Sequence, residues 1–435
     1  MRALRLFRFA TATGIAMACA VILSSDPALA QVKIRFQTWQ WNQEPTVKAL
    51  EEFQRTFNAA NSSIQVVRED SKYGDKEAVF TSQSQAKAAP DIAHFSIRPV
   101  RSFADRGFLL DLTPFVEKEG GAKFLAQWDP AALEMCRYKG RLYCLPDNLD
   151  PVVLMYNAEH FKQAGLDPDK PPTTWDQFVD YAKKLTRSTK GNGKIDRWGV
   201  GLLGAREEGV FMRFDPWLWG AGGDFLTADG KRSALDTPEA LAGFKFYIEL
   251  LTKHKAVPPG VIEQGAQNVR TQLAHETVSM ILNFSSEPYI VNVINPQLHA
   301  LDVLRWAPLP VGKKKVTAAW FSLRVISAST KHPEEAWKVY KAWYGRDQQL
   351  LNFKNDAFVS CRLDVRNSAE VKSHKYAPIG LAQAPYVKWE PLIPEWPKIT
   401  DAMLTAVQEA FTGVKTPEQA LKDAHLATNR ALGAQ

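Results

Sequence analysis

Cysteine is scarce in this 435-residue chain: there are four, at positions 19, 136, 144 and 361, and no histidine or cysteine partners stand at metal-ligand spacing. That excludes a zinc framework. No G-x-S-x-G elbow, H-E-x-x-H pair or Walker A loop occurs, so the common hydrolase and nucleotide-hydrolase signatures are missing. "GVGLLG", from Gly199 to Gly204, matches G-x-G-x-x-G but is itself strand-like and opens no helix, so it is not read as a dinucleotide loop. "STKGNGKIDRWG" has the outline of a calcium loop, yet Thr189 and Gly191 stand at the early ligand positions, and it reads as a glycine-rich turn. No basic stripe is present. The densest run, Lys313 to Lys315, reads as a solvated turn, and nucleic acid is not an expected partner. No cofactor and no metal are expected.

What is present is an ordinary globular composition, 45% hydrophobic and 23% charged, in a chain long enough for two domains. The first thirty residues read as a cleavable export signal. Arg2, Arg5 and Arg8 precede a short apolar core, and "ALA" before Gln31 has the form of a signal peptidase site, so cleavage is expected after Ala30. "AMAC" lacks the aliphatic residue that lipidation of Cys19 would need. Without those thirty residues the net charge falls from +7 to +5. Export permits a disulfide. Cys136 and Cys144 flank "RYKGRLY", a hairpin pattern with Lys139-Gly140 at its turn, and this pair is the expected bridge, although a direct cross-strand bridge needs an odd-length loop. Cys361 is left as a free, buried thiol.

Short apolar runs alternate with amphipathic helical stretches, which predicts an α/β architecture. "VKIRF", "TVKALEEFQRTFNAAN" and "IQVVRED" make a βαβ start, and "PDIAHFS", "LYCLPDN", "VVLMYN", "RWGVGLL", "SMILNF", "DVLRWAPLP" and "RVISAS" continue the strands. Helix starts are signalled at Thr174 with Gln177, at Thr237-Pro238, at Pro333 with Glu334 and Glu335, and at Thr416-Pro417 with Gln419.

Ligands of open α/β sheets bind beyond the carboxyl ends of strands, and this chain places aromatics and polar groups there. Trp39 and Trp41 follow the first strand, and His94, Phe95, Ser96 and Arg98 the third. Asp147, Asn148 and Asp150 lie in another, and "FDPWLWGAGGD" adds Phe214, Trp217 and Trp219. Aromatic faces stack on sugar rings while Asp, Asn and Arg bind hydroxyls, which predicts a carbohydrate cleft. Arg98, Arg324 and Arg362 raise a second possibility, an anionic ligand such as a polyol phosphate or uronate. A periplasmic carbohydrate hydrolase or lyase is a third, and it needs a carboxylate pair or a His/Tyr base in the cleft.

"APDIAHF", "ADRGFLLDLTPF", "YKGRLYCLP", "VVLMYNAEHFKQAGLDPDKPPTTWDQF", "GAGGDFLTADGK", "HETVSMILNF", "STKHPEEAWKVYKAW" and "TPEQALKDA" together resemble the family 1 extracellular solute-binding proteins of bacterial ABC sugar importers, the maltose-binding-protein group. The resemblance covers essentially the whole mature chain. It implies a periplasmic-binding-protein type II fold: two α/β lobes, 31–148 plus 304–345 and 149–303 plus 346–435, joined by a hinge and closing on a ligand. It implies a non-catalytic, monomeric periplasmic protein that delivers a sugar to an ABC transporter permease. Carried over residue by residue, it points to Trp41, Gln43 and Glu44 after the first strand, to Phe95, Ser96 and Arg98, to Asp150 and to Trp217 as a stacking position. Maltodextrin binders tend to carry an acidic residue where Arg98 stands. Ser285, Ser286 and Glu287 replace a frequent Gly-x-Trp, and Trp320 occupies a loop usually rich in glycine.

Overall fold

The computed structural model describes residues 31–434; the expected export signal, with Cys19, lies outside the described residues. The βαβ start forms as the pattern predicts. Strand β1 (Val32–Thr38) pairs in parallel with β2 (Ile64–Asp70) across helix α1 (Val47–Ala60), and then with β3 (Ile92–Ser96). Helix α2 (Lys76–Gln85) connects β2 to β3. A short hairpin, β4 (Arg137–Tyr138) with β5 (Arg141–Leu142), turns at Lys139 and Gly140, both at positive φ (48° and 77°). This is the two-residue hairpin turn whose twist suits antiparallel strands.

Strand β6 (Leu145–Asn157) is one continuous, fully buried run of 13 residues, where the sequence pattern reads two strands interrupted at Asp150-Pro151. It changes partners midway. Leu145 to Pro151 pair with β10 (Ala319–Ile326), and Val152 to Asn157 pair with β8 (Val278–Phe284) and β9 (Leu304–Ala307). The main path of the sheet is β2-β1-β3-β10-β6-β8-β7, with β7 at Trp198–Gly201. Strand β10 begins five residues before "RVISAS" and includes Trp320, which the resemblance puts in a loop.

Two large cores flank this crossing. Ile34, Phe36, Phe80, Phe95, Phe321 and Trp343 belong to the first. Val152, Phe178, Phe214, Trp217, Met280 and Trp306 belong to the second. Leu304, Trp306 and Leu309 lie in the second core, while Phe321 to Trp343 lie in the first. Helices carry the expected caps: α3 (Trp175–Leu185) with Thr174 accepting from the Gln177 amide, and α5 (Pro238–Thr252) with Thr237. Between them α4 (Gly209–Gly220) is buried at every residue. A helix buried on every side has no solvent face and so no amphipathic period to read, and "FDPWLWG" gives no helical signal. Helices α6 (Ala266–Ala274), α7 (Glu287–Ile294), α8 (Pro333–Trp343) and α9 (Arg346–Asp356) follow, and α10 (Trp396–Thr412) packs on α11 (Pro417–Leu432), whose Thr416/Gln419 capping box is complete.

Cys136, Cys144 and Cys361 are buried free thiols. The two-residue turn sets Arg137 opposite Leu142 and bonds the Tyr143 amide to the Cys136 carbonyl at 3.1 Å, and just beyond it the thiols of Cys136 and Cys144 lie against each other.

Candidate functional site

A cavity of about 530 Å³ opens between the two cores, a size typical of small-molecule sites. On the side of β1, residues Trp39 to Asn42 form a 3-10 turn started by Thr38, whose hydroxyl accepts from the Gln40 amide. Trp39 stacks flat on His94 (centroids 3.9 Å, 14°) and meets Trp320 and Tyr73 edge-on at 6.2 and 5.3 Å. His94 is fixed from below: its ring nitrogens lie 2.8 Å from Thr38 Oγ1 and next to Ser322 Oγ. Burial, then Arg324 and Lys76, hold its pKa well below the usual histidine value, so it serves as a neutral base plate.

The opposite wall comes from α4, α6 and α7. Arg213 donates to Asn283 Oδ1 and to the carbonyls of Leu282 and Gly209, and lies over Phe284. Burial, then Arg270, lower its pKa to about 10. Arg270 makes a two-pronged ion pair with buried Glu287. Glu207 accepts from the Ala266 amide at 2.6 Å, at the N-terminus of α6, where a carboxylate is favoured. Gln43 and Glu44 complete the rim.

Of the residues expected from sequence, Trp39, Gln43, Glu44, Glu287 and Trp320 line this cavity, with His94 beneath it. Others are placed differently. Trp41 is buried, its Nε1 donating to the Phe36 carbonyl at 2.9 Å. The 3-10 turn swings consecutive side chains apart, so Trp39 faces the cavity and Trp41 the core. Phe95 packs on Phe80 and Phe103, Phe214 on Tyr247, and Trp217 on Phe178 and Phe246; all three are core. Trp219 is buried with Lys388 over its ring. Asn148 is a ladder residue opposite Ser322.

Asp150 faces Ser285 and Ser286, accepting from Ser285 Oγ at 2.7 Å and from both amides at 3.2 and 3.4 Å. Burial pushes its pKa up to about 6 despite these bonds. The unfolded chain releases this proton near 3.8 and the native state near 6, so stability falls as pH rises through that window. At 1.36 kcal/mol per pH unit, the cost above pH 6 is about 3 kcal/mol. Asp150→Asn is expected to be more stable than wild type at pH 7.5 by up to that amount and to lose its advantage below pH 4, measured by urea unfolding.

The arginines that raised an anionic ligand are already engaged. Arg324 pairs with Asp147 and Arg362 with Asp364. Arg362 lies over Trp128, outside the cavity lining. Arg98 pairs with Glu208 and Glu390. A hydroxyl–histidine–carboxylate arrangement does exist, with His160 3.0 Å from Ser279 Oγ and 3.1 Å from Glu276 Oε1, but Ser279 is sealed in the core. Among the described residues no cluster of His, Cys, Asp and Glu could hold a metal ion, and no helix is long and apolar enough to cross a membrane.

Tyr73, Glu207, Arg213, Arg270 and Phe358 also line the cavity and were missed from sequence. Tyr73 follows strand β2 and could have been found by the same strand-end rule. Arg213 and Arg270 sit inside helices, where nothing local marks them.

The sequence matches the bacterial extracellular solute-binding protein family over residues 41–350. A binding protein of Brucella abortus (strain 2308) is 26% identical over 383 residues, covering 86% of this chain and 87% of that one. The sn-glycerol-3-phosphate-binding periplasmic protein of Salmonella paratyphi A is 29% identical over 202 residues, 43% of this chain and 42% of that one. Among solved structures, an ABC transporter solute-binding protein from Thermotoga lettingae TMO, bound with alpha-D-tagatose, superposes with a TM-score of 0.84 at 27% identity, covering 93% of this chain and 100% of that one. With the crossing strands, the paired cores and the cavity between them, these matches place the chain in the family of bacterial extracellular solute-binding proteins.

Proposed function

We propose that this protein captures a neutral sugar or polyol in the periplasm and delivers it, as a monomer, to the permease of an ABC importer. The observation that carries the reading is the platform of Trp39 on His94, walled by Trp320 and Tyr73 and facing the polar side chains of α4, α6 and α7. A flat aromatic opposite hydrogen-bonding groups suits a ring with one apolar face and hydroxyl edges. Two lobes follow the two cores, with β6 and β10 crossing between them and residues 304–318 going with the second. The tagatose-bound relative supports a sugar-sized ligand. The ion pairs that occupy Arg98, Arg324 and Arg362 favour a neutral one.

The test uses protein refolded from denaturant to strip any ligand carried through purification. A thermal-shift panel of neutral sugars, polyols, uronates and glycerol phosphate is expected to give its response among the neutral compounds. A ligand at a hundred times its Kd adds about 2.7 kcal/mol of stability. Trp39→Ala is expected to weaken that ligand by about 1–3 kcal/mol, roughly 5- to 150-fold. A response confined to uronates or glycerol phosphate would replace this reading with an anionic ligand.

A further inference from the structure

Cys136 and Cys144 take no part in the solute cavity, and both are fully buried in the first core. Cys136 ends the short helix Pro130–Met135, and Cys144 directly precedes β6. The two-residue turn places Tyr143, not Cys144, opposite Cys136, which in a regular ladder would keep the thiols apart. Cys136, however, has helical backbone (φ −75°, ψ −2°). The alternation of a strand does not govern it, and its thiol reaches that of Cys144. The remaining cysteine among the described residues, Cys361, belongs to the same core. Its amide donates to the Asp147 carbonyl at 2.8 Å, and its carbonyl accepts from the Asp129 amide at 3.0 Å.

We propose that Cys136 and Cys144 are the site of a disulfide, made while the exported chain folds and before the first core closes over it, with Cys361 left as a thiol. The bond goes beyond the solute-binding reading and needs only export to an oxidising compartment. One cysteine thiolate attacks a sulfur of a disulfide carrier, a protein oxidant or glutathione disulfide, and a mixed disulfide forms as the carrier's first thiolate leaves. The second cysteine, as thiolate, attacks its neighbour's sulfur and expels the carrier's other thiolate. The chain gives up two protons and two electrons, and the carrier ends as two thiols. The timing follows from burial, which holds the Cys136 and Cys361 thiols well above the usual cysteine pKa, so the folded chain offers an oxidant little thiolate. Once made, the bond ties the short helix to the entry of β6. There the Leu145 amide donates to Tyr340 Oη at 2.7 Å, and Tyr344 Oη donates to the Leu145 carbonyl at 2.7 Å.

The experiment counts thiols by mass. The full chain, exported with its own signal, is recovered from the periplasm and alkylated with iodoacetamide in denaturant without reductant. Alkylation is expected at Cys361 alone, with the tryptic peptides of Cys136 and Cys144 linked. The untreated protein should be about 2 Da lighter than its reduced form, for the two hydrogens lost. Cys361→Ser is expected to keep the link. In a second arm the mature chain is reduced and unfolded, and glutathione disulfide is added either during refolding or after it. Oxidant present during refolding is expected to restore the link, whereas oxidant added to the folded chain is expected to leave Cys136 and Cys144 reduced. Alkylation of Cys136 and Cys144 in the exported chain, or a link that includes Cys361, would overturn the site. Rapid oxidation of the folded, reduced chain would overturn the timing.

Discussion

Replacing Trp41 by alanine is expected to cost about 3–5 kcal/mol of folding stability while leaving solute affinity, per folded molecule, within about twofold of wild type. The side chain is 1% exposed, donates to the Phe36 carbonyl, meets the Phe36 ring edge-on at 6.3 Å and is covered by Arg68. Its removal leaves a cavity in the first core and takes away the side-chain hydrogen bond to the Phe36 carbonyl. Trp39→Ala should behave in the opposite way, losing affinity with little loss of stability. Urea unfolding and titration calorimetry on both variants would separate the two roles. A Trp41→Ala protein that keeps its stability but loses its ligand would return Trp41 to the site.

The second large effect is expected at Asp147. Its carboxylate pairs with Arg324 and accepts from Gln349 Nε2 at 2.8 Å and Trp343 Nε1 at 3.2 Å. Arg324 is 1% exposed, lies 3.9 Å from the Trp343 ring centroid and reaches Gln40 at 3.1 Å. Asp147→Ala strands this guanidinium in the core, a loss of about 3–5 kcal/mol. Removing both charges, in Asp147→Asn with Arg324→Met, is expected to cost less than Asp147→Ala alone, because the penalty is that of an uncompensated ion. Chemical denaturation of the variants checks this, and a double variant as unstable as Asp147→Ala would count against it. Since Gln40 also borders the solute cavity, the single variant should weaken solute binding as well.

Much of the fold was legible because local chemistry announces itself. The capped helices at Thr174, Thr237 and Thr416 form where their hydroxyls stand, and the βαβ start follows the alternation of its apolar runs. Helix α4 was hidden because burial on every side erases the period that marks a helix. The site was half legible. Strand ends drew attention to residues 39–44, which line the cavity except for Trp41, but whether Trp39 or Trp41 faces it depends on a 3-10 turn that tryptophan spacing does not encode. Arg98 and Asp147 were noticed for their charge, and only the fold reveals that carboxylates or guanidiniums from distant segments already neutralise them. Glu208, which nothing local in the sequence marks, is paired with Lys76, 132 residues earlier.

Strand β6 changes partners at Pro151, between the stretch paired with β10 and the stretch paired with β8. Proline brings no amide hydrogen to a ladder. The strand therefore has one link with no donor to surrender, placed where its two halves answer to different cores. The ladder resumes at the next residue, with Val152 bonded to Ala318 at 2.8 Å. In the two-lobe reading proposed above, a rotation about this residue would break no ladder amide of its own.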